Sequence, residues 1–323
     1  MRRATVRVAL FALLMMALFA LTSLPKTQPA PHFGADGAPS SGRTIVWHVK
    51  RFFGVAAHVP KRSTLTFIHI PKTAGISFAK DGRKVLPETL RLVQNHEASV
   101  LATQGPRGAM VVFLREPRRH VLSQFTMCKY NPWGQRQTNH TTFPRDDMAN
   151  ATAGFGEWVR HFTSAGGGEA RAPDYDPWSD YDCYNPWNMQ TRYMTTSAHP
   201  HHLTDASERE PNVTRAMRVL DEFFFVGITE FYELSLCAFE YAVSGATKCE
   251  CAADHHLRVN VRKETQELHS IPPHSIEDVD ERTQLLVDDL TRQDRELYDH
   301  ALSRFWTMIR KVERHAGVKL QCG

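Results

Sequence analysis

The sequence predicts an α/β protein built on a central parallel sheet flanked by helices, and three observations carry that expectation. Two runs, Ala109 to Leu114 and Phe223 to Ile228, are apolar throughout, as strands buried on both faces of a parallel sheet are. A third, Thr66 to Ile70, ends at a Pro/Gly turn that opens directly into a helical pattern. Toward the carboxyl end Leu297, Ala301, Phe305, Ile309 and Val312 recur at helical spacing, and Gly317 supplies a stop.

Taken in chain order, Arg2, Arg3 and Arg7 precede an uncharged stretch from Val8 to Leu24, dominated by Leu, Ala, Met and Phe. Its length is at the short end of what spans a bilayer. A cleaved secretory signal is the other reading, but such a segment ends in a small-x-small site and no clean Ala-x-Ala follows here. Because the basic flank comes first, the positive-inside rule keeps the amino terminus cytosolic and the remainder lumenal. The expected layout is a cytosolic tail at 1–7, a transmembrane signal anchor at 8–24, a stem at 25–62 and one lumenal domain at 63–323. Pro, Gly, Ser and Ala dominate the stem, which buries too little apolar surface to offset ordering entropy. A net charge of +4, with three of the positive charges ahead of the anchor, gives nucleic-acid binding little support.

The first strand leads into Pro71-Lys72-Thr73-Ala74-Gly75-Ile76-Ser77. The first N–H groups of a helix have no partner inside it and sit at the positive end of its dipole, so a phosphate or sulfate fits there. Gly75 lets backbone approach the anion closely, Lys72 adds a full charge, and Ser77 adds a hydroxyl donor. A nucleotide-hydrolase P-loop has its lysine after the glycines; here the lysine comes first, which counts against an ATPase. Alone, this segment is equally an ordinary turn between a strand and a helix.

Leu90 to Asn95 alternates as a strand does, with His96 at its carboxyl end and a helix expected from near Glu97. His69 falls inside the first strand and reads as a packing residue. The run Ala109 to Leu114 ends in Arg115-Glu116-Pro117, and Pro117 suits the first turn of a helix. Arg115 and, on that helix, Ser123 could clasp a second phosphate, the guanidinium fork matching its oxygens. Singly, Arg115 is as readily a structural ion-pair residue and Ser123 a solvated or back-bonded helix serine. Ligands of open parallel sheets sit beyond the carboxyl ends of the strands, so Lys72, His96 and Arg115 should converge on one edge.

Together, Pro71 to Ser77 and Leu114-Arg115-Glu116-Pro117 followed by Ser123-Gln124-Phe125 resemble the sulfotransferase family, most closely the membrane-anchored Golgi enzymes that sulfate carbohydrates such as heparan and uronyl groups. Asn188 to Tyr193 and Phe225 to Glu230 are further similar fragments. The resemblance covers about residues 64 to 310 and is thin between 126 and 183. It implies a P-loop-like three-layer fold and 3′-phosphoadenosine 5′-phosphosulfate as donor. Lys72, Thr73, Ala74, Gly75, Ile76 and Ser77 then correspond to the 5′-phosphosulfate loop, and Arg115 with Ser123 to the 3′-phosphate site. The family similarly places a histidine base between the two motifs, which implies His96, with Glu97 as the runner-up. Arg262 and Lys263 resemble a late segment that closes over the nucleotide, and a solvated basic turn reads as well.

Sulfuryl transfer needs an acceptor oxygen deprotonated as it attacks, a sulfur held in line, and neutralisation of the departing phosphate. An imidazole, with pKa near 6.5, suits the first task. Lys72 and the amides of Thr73 to Ser77 suit the third, by analogy with phosphoryl transfer. Arg115 and Ser123 fix the far end of the nucleotide, and no metal is required.

The aromatic and acidic stretch 174–193 has the composition of a sugar-binding wall or of an irregular insertion; Trp187, Gln190 and Arg192 are the candidates for acceptor contact. Its Asp174-Tyr175-Asp176 and Asp180-Tyr181-Asp182 also fit the D-x-D pattern of metal-dependent Golgi glycosyltransferases, a competing reading. A non-catalytic glycan-binding relative is the third. Sequons at Asn139, Asn150 and Asn212 are glycosylation candidates in a lumenal chain. Six cysteines allow fifteen full pairings and select none. Cys249-Glu250-Cys251 is too closely spaced for a usual zinc pair and reads as structural. The expected partners are a glycan or proteoglycan acceptor and the Golgi membrane; nothing in the sequence sets an oligomeric state.

Overall fold

The computed structural model describes residues 63–96, 98–103, 106–138, 143–145, 147–164, 183–196, 210–249 and 271–321. The expected tail, anchor and stem at 1–62 lie outside them, and no helix among the described residues is long and apolar enough to cross a membrane.

The protein is α/β. Strands β1 (Ser63–His69), β2 (Leu90–His96), β3 (Met110–Leu114) and β4 (Phe225–Ile228) form one parallel sheet in the order β2-β1-β3-β4. Helix α1 (Gly75–Lys84) follows β1, α2 (Pro117–Tyr130) follows β3, and α3 (Pro132–Gln137), α4 (Phe155–Ser164), α5 (Met189–Thr195) and α6 (Val213–Asp221) come before β4. After β4 come α7 (Tyr232–Ser244), α8 (Glu281–Leu290) and α9 (Arg292–Ala316). From β1 the chain steps outward to β2 and then returns to the other side of β1 for β3. The turns leaving β1 and β3 therefore diverge, and between them lies the crevice where such sheets bind ligands.

Every residue of β3 and β4 is buried, which is why both runs are apolar without alternation. In β2 the buried Leu90 and Leu92 alternate with the exposed Arg91 and Val93, as suits a strand with one face covered and the other in water. Phe113 of β3 packs against Phe78 of α1 at 4.5 Å between ring centroids, and Phe78 packs against Phe239 of α7 at 5.0 Å. The neighbouring β4 position must be glycine, because a Cβ on Gly227 would lie 2.5 Å from the Phe113 ring. A second aromatic group, Phe125 of α2 with Phe143, Phe155 and Trp158, joins α2 to α4.

The helix ends follow their sequence signals. Pro117 takes the first turn of α2, where Glu116 accepts the Arg119 N–H at 2.8 Å, and Gly317 ends α9 in the left-handed conformation at φ 68°. The helix expected from near Glu97 is not formed. Residues 98–103 make turns in which Ser99 Oγ accepts the Ala102 N–H and Thr103 Oγ1 donates to the Ser99 carbonyl, so local side chains take the bonds that a helix would use. Glu97 itself lies outside the described residues.

Disulfides join Cys128 of α2 to Cys183, ahead of α5, and Cys237 of α7 to Cys249. Cys249 is thus committed to a structural bond; Cys251 and Cys322 are outside the described residues. Beside the first bridge, Lys129 is wholly buried, its ammonium donating to the carbonyls of Asp147, Asn150 and Ala153 at 2.9 to 3.1 Å. Three acceptors for three donors offset the desolvation that burying a charge otherwise costs. Of the sequon asparagines, Asn150 and Asn212 are exposed and Asn139 lies outside the described residues.

Candidate anion-binding site

The turn from β1 into α1 is set by three side chains that hold successive carbonyls. Thr73 Oγ1 donates to Ile70 O at 2.9 Å, His120 Nε2 to Pro71 O at 2.8 Å, and Arg115 Nη1 to Lys72 O at 3.0 Å. All three oxygens are turned to protein donors, so they do not confront an anion placed beyond the turn. Lys72 and Ala74 hold left-handed backbone angles, φ 66° and 64°, a costly conformation for non-glycine residues that the surrounding bonds enforce. The first intrahelical bond of α1 runs from Phe78 N to Ala74 O, which leaves the N–H groups of Gly75, Ile76 and Ser77 for a ligand.

Gly75 has a reason the sequence did not disclose. A Cβ there would lie 1.7 Å from the ring of His69, which is 5% exposed, pairs with Gln94 Nε2 at 2.7 Å and stacks on Phe67. The glycine admits the imidazole beneath the first turn of α1, so His69 packs as expected and also props the loop. Gly75→Ala should force ring and loop apart, lowering stability by about 1–3 kcal/mol and weakening sulfate binding. A thermal melt and a sulfate titration of that variant check this; an unchanged melting temperature would remove the steric argument.

Lys72 is half-buried, and its Nζ rests 3.6 Å from Met127 Sδ, a weak acceptor. Burial first, and then the Arg115 charge, push its pKa down to about 8. Beneath the loop, His120 is 1% exposed; burial holds it neutral, with a pKa lowered to about 3 against the favourable bond to Pro71. Its Nε2–H therefore donates while Nδ1 faces the Gln124 amide at 3.3 Å.

At the second junction, the backbone of Arg115 is gripped by Gln190, whose Oε1 accepts the Arg115 N–H at 2.9 Å and whose Nε2 donates to its carbonyl at 2.8 Å. Gln190 is fixed in turn by Asp294 of α9, which accepts from Gln190 N at 3.1 Å, Thr191 N at 2.7 Å and Thr191 Oγ1 at 2.7 Å. Burial raises the Asp294 pKa to about 6 against those bonds. Glu230, just past β4, accepts the Glu116 N–H at 3.1 Å and the Tyr298 hydroxyl at 3.0 Å, and its Oε1 is 3.9 Å from Arg115 Nε. Neighbouring charges are paired outward: Glu116 with Arg295, Arg118 with Asp288, Arg119 with Glu277.

The structure thus brings Lys72, Thr73, Ala74, Gly75, Ile76 and Ser77 against Arg115 at the divergence of β1 and β3. Ser123 is buried on α2 at 8% exposure. His96 closes β2 directly opposite His69 of β1, on the same sheet edge; its side chain is outside the described part. Gln190 and Arg192, expected to touch an acceptor, are each 1% exposed with side chains spent on backbone, Arg192 donating to the carbonyls of Trp187 and Asn185. That geometry makes them frame rather than wall. Trp187 is half-buried, while Arg262, Lys263 and the aspartates of 174–182 lie outside the described residues. Among the described residues, no cluster of three or more His, Cys, Asp or Glu side chains could hold a metal ion.

Sequence reasoning missed His120, Met127, Glu230 and Asp294. Glu230 was within reach of the strand-end rule already applied to Lys72 and Arg115; the other three sit on helices whose partners only the fold reveals. Neither a comparison with models of known protein families nor one with curated proteins gives a match.

Proposed function

We propose that this chain transfers a sulfuryl group from 3′-phosphoadenosine 5′-phosphosulfate to a hydroxyl of a glycan, as a Golgi enzyme anchored by its amino-terminal segment. One observation carries the reading most: the Arg115 guanidinium donates to the Lys72 carbonyl, so two basic strand-to-helix junctions touch across the crevice of a parallel sheet. A nucleotide with an anionic group at each end suits such a pair, one group on the α1 amides and Lys72, the other on Arg115 with Ser123. The sheet order, with helices packed against it, is compatible with a P-loop-like three-layer fold for residues 63–323.

In this reading the acceptor oxygen forms a bond to sulfur as the bond from sulfur to the bridging phosphate oxygen breaks. The hydroxyl proton passes to His96, and Lys72 with the amides of Gly75 to Ser77 takes up the charge left on the phosphate. Incubating the purified protein with radiolabelled donor and a panel of glycans tests the proposal: label in a glycan supports it, and donor bound without transfer to any of them sinks it.

The roles of the two ends are separable. Arg115→Ala should weaken adenosine 3′,5′-bisphosphate about 10- to 100-fold, the worth of a charge-assisted hydrogen bond, and adenosine 5′-phosphate by clearly less, that smaller loss coming from the released Lys72 carbonyl. Calorimetric titration of both nucleotides checks this, and equal losses for the two would contradict the assignment of Arg115 to the 3′ end.

A further inference from the structure

The junctions of β3 and β4 carry polar groups that are almost all spoken for. The Arg115 N–H, carbonyl and Nη1, the Glu116 N–H and both Glu230 carboxylate oxygens have partners within the protein. Two donors do not. Arg115 Nε and Thr229 Oγ1 are buried and make no hydrogen bond among the described residues. Leu114 of β3 pairs with Ile228 of β4, so Arg115 and Thr229 are each the first residue beyond that pair, on adjacent parallel strands whose spacing is about 4.8 Å. A buried hydroxyl without a partner is destabilising, and a methyl in its place would be less so. The fold carries two such groups on the residues that follow paired ends of adjacent strands, at the carboxyl edge of the sheet.

We propose that Thr229 is a further binding residue of this site. Its hydroxyl and Arg115 Nε together receive one oxygen of the anionic group held at the second junction. The proposal rests on the donor reading above and extends it to β4, which brings a third strand end into the grip on the nucleotide. Glu230 does not satisfy the Arg115 donor by hydrogen bonding, since its nearer oxygen stands 3.9 Å from Nε, outside hydrogen-bond reach. Its charge, 3.9 Å from Nε, instead keeps the guanidinium aligned along the β4 end. The oxygen sought is therefore an acceptor shared by two donors, as a phosphate oxygen is and a carbon-bound hydrogen is not.

The test compares the unaltered protein with Thr229→Val, which keeps the shape and removes the hydroxyl, and Thr229→Ser, which keeps the hydroxyl. Thermal midpoints are measured without ligand, and affinities are measured by calorimetry for adenosine 3′,5′-bisphosphate and adenosine 5′-phosphate. The valine variant should melt no lower than the unaltered protein yet bind the bisphosphate about ten-fold more weakly. The serine variant should restore most of that loss, and the 5′-phosphate should bind all three alike. An unchanged bisphosphate affinity in the valine variant overturns the inference alone, as does a loss of affinity matched by a lower melting temperature, the sign of a structural bond to an internal water. Failure of the unaltered protein to bind either nucleotide overturns the donor reading and this inference with it.

Discussion

His96→Ala is expected to reduce sulfuryl transfer by about 10²- to 10⁴-fold, the usual worth of a positioned proton acceptor, while leaving the affinity for adenosine 3′,5′-bisphosphate nearly intact. The argument is one of register. His96 is the last residue of β2 and lies opposite His69, and His69 lies under Gly75 at the start of the anion loop. Parallel pairing thus delivers residue 96 to the edge where a group on Lys72 would present its reacting end. His69 itself is a poor rival, being 5% exposed and bonded to Gln94. His120 is a worse one, since burial keeps it neutral far below physiological pH and its Nε2 already donates to Pro71. A parallel Glu97→Ala variant separates the neighbour: rates should fall in the histidine variant and hold in the glutamate one. The reverse pattern would move the base to Glu97, and full turnover in both would remove the β2 end from the mechanism.

Strand polarity makes much of this legible in the sequence alone. Lys72 and Arg115 each follow an apolar run and His96 follows an alternating one, and parallel pairing then requires a common edge. Hidden from that logic was everything contributed by helices distant in sequence. Asp294 lies 179 positions beyond Arg115 in the chain, yet through the start of α5 and Gln190 it fixes the Arg115 peptide. Gln190 illustrates the limit well. Its family-like surroundings suggested contact with an acceptor, whereas a side-chain amide can satisfy a strand's terminal N–H and C=O together, and here it does. The absent helix after β2 has a similar cause: Ser99 and Thr103 bond locally, a competition that hydrophobic periodicity does not register.

That framework also has an electrostatic logic. A buried carboxylate whose pKa is raised is one the fold would rather protonate, and Asp294 is tolerated because two amides and a hydroxyl point at it. Its folded pKa, about 6, exceeds the unfolded value, so its contribution to stability is greatest below the unfolded pKa and is lost as pH rises through 6. His120 runs the other way. Lowered to about 3, its contribution is full above the unfolded value near 6.5 and is lost as pH falls toward 3. Over the mildly acidic range the two oppose each other, so the loop and its support are not both weakened by the same modest acidification.

Lys72→Met should lower turnover by about 10²- to 10³-fold, comparable to removing one oxyanion donor, and the pH dependence should identify the cause. In the ligand-free protein burial and Arg115 bring the lysine pKa down to about 8. The ammonium form that an anion needs is therefore lost as pH rises through that value, and kcat/KM, which reports the free protein, should decline on an alkaline limb there. Bound phosphate favours the charged form, so nucleotide binding above pH 8 should take up protons. Calorimetry in two buffers of different ionisation enthalpy measures that uptake. Lys72→Arg should shift the limb to higher pH, because a guanidinium keeps its charge, though its bulk beside Met127 will cost rate. An alkaline limb that survives unshifted in the arginine variant, or binding without proton uptake, would mean that the charge on residue 72 is not what holds the anion, and the loop amides of α1 would have to do so alone.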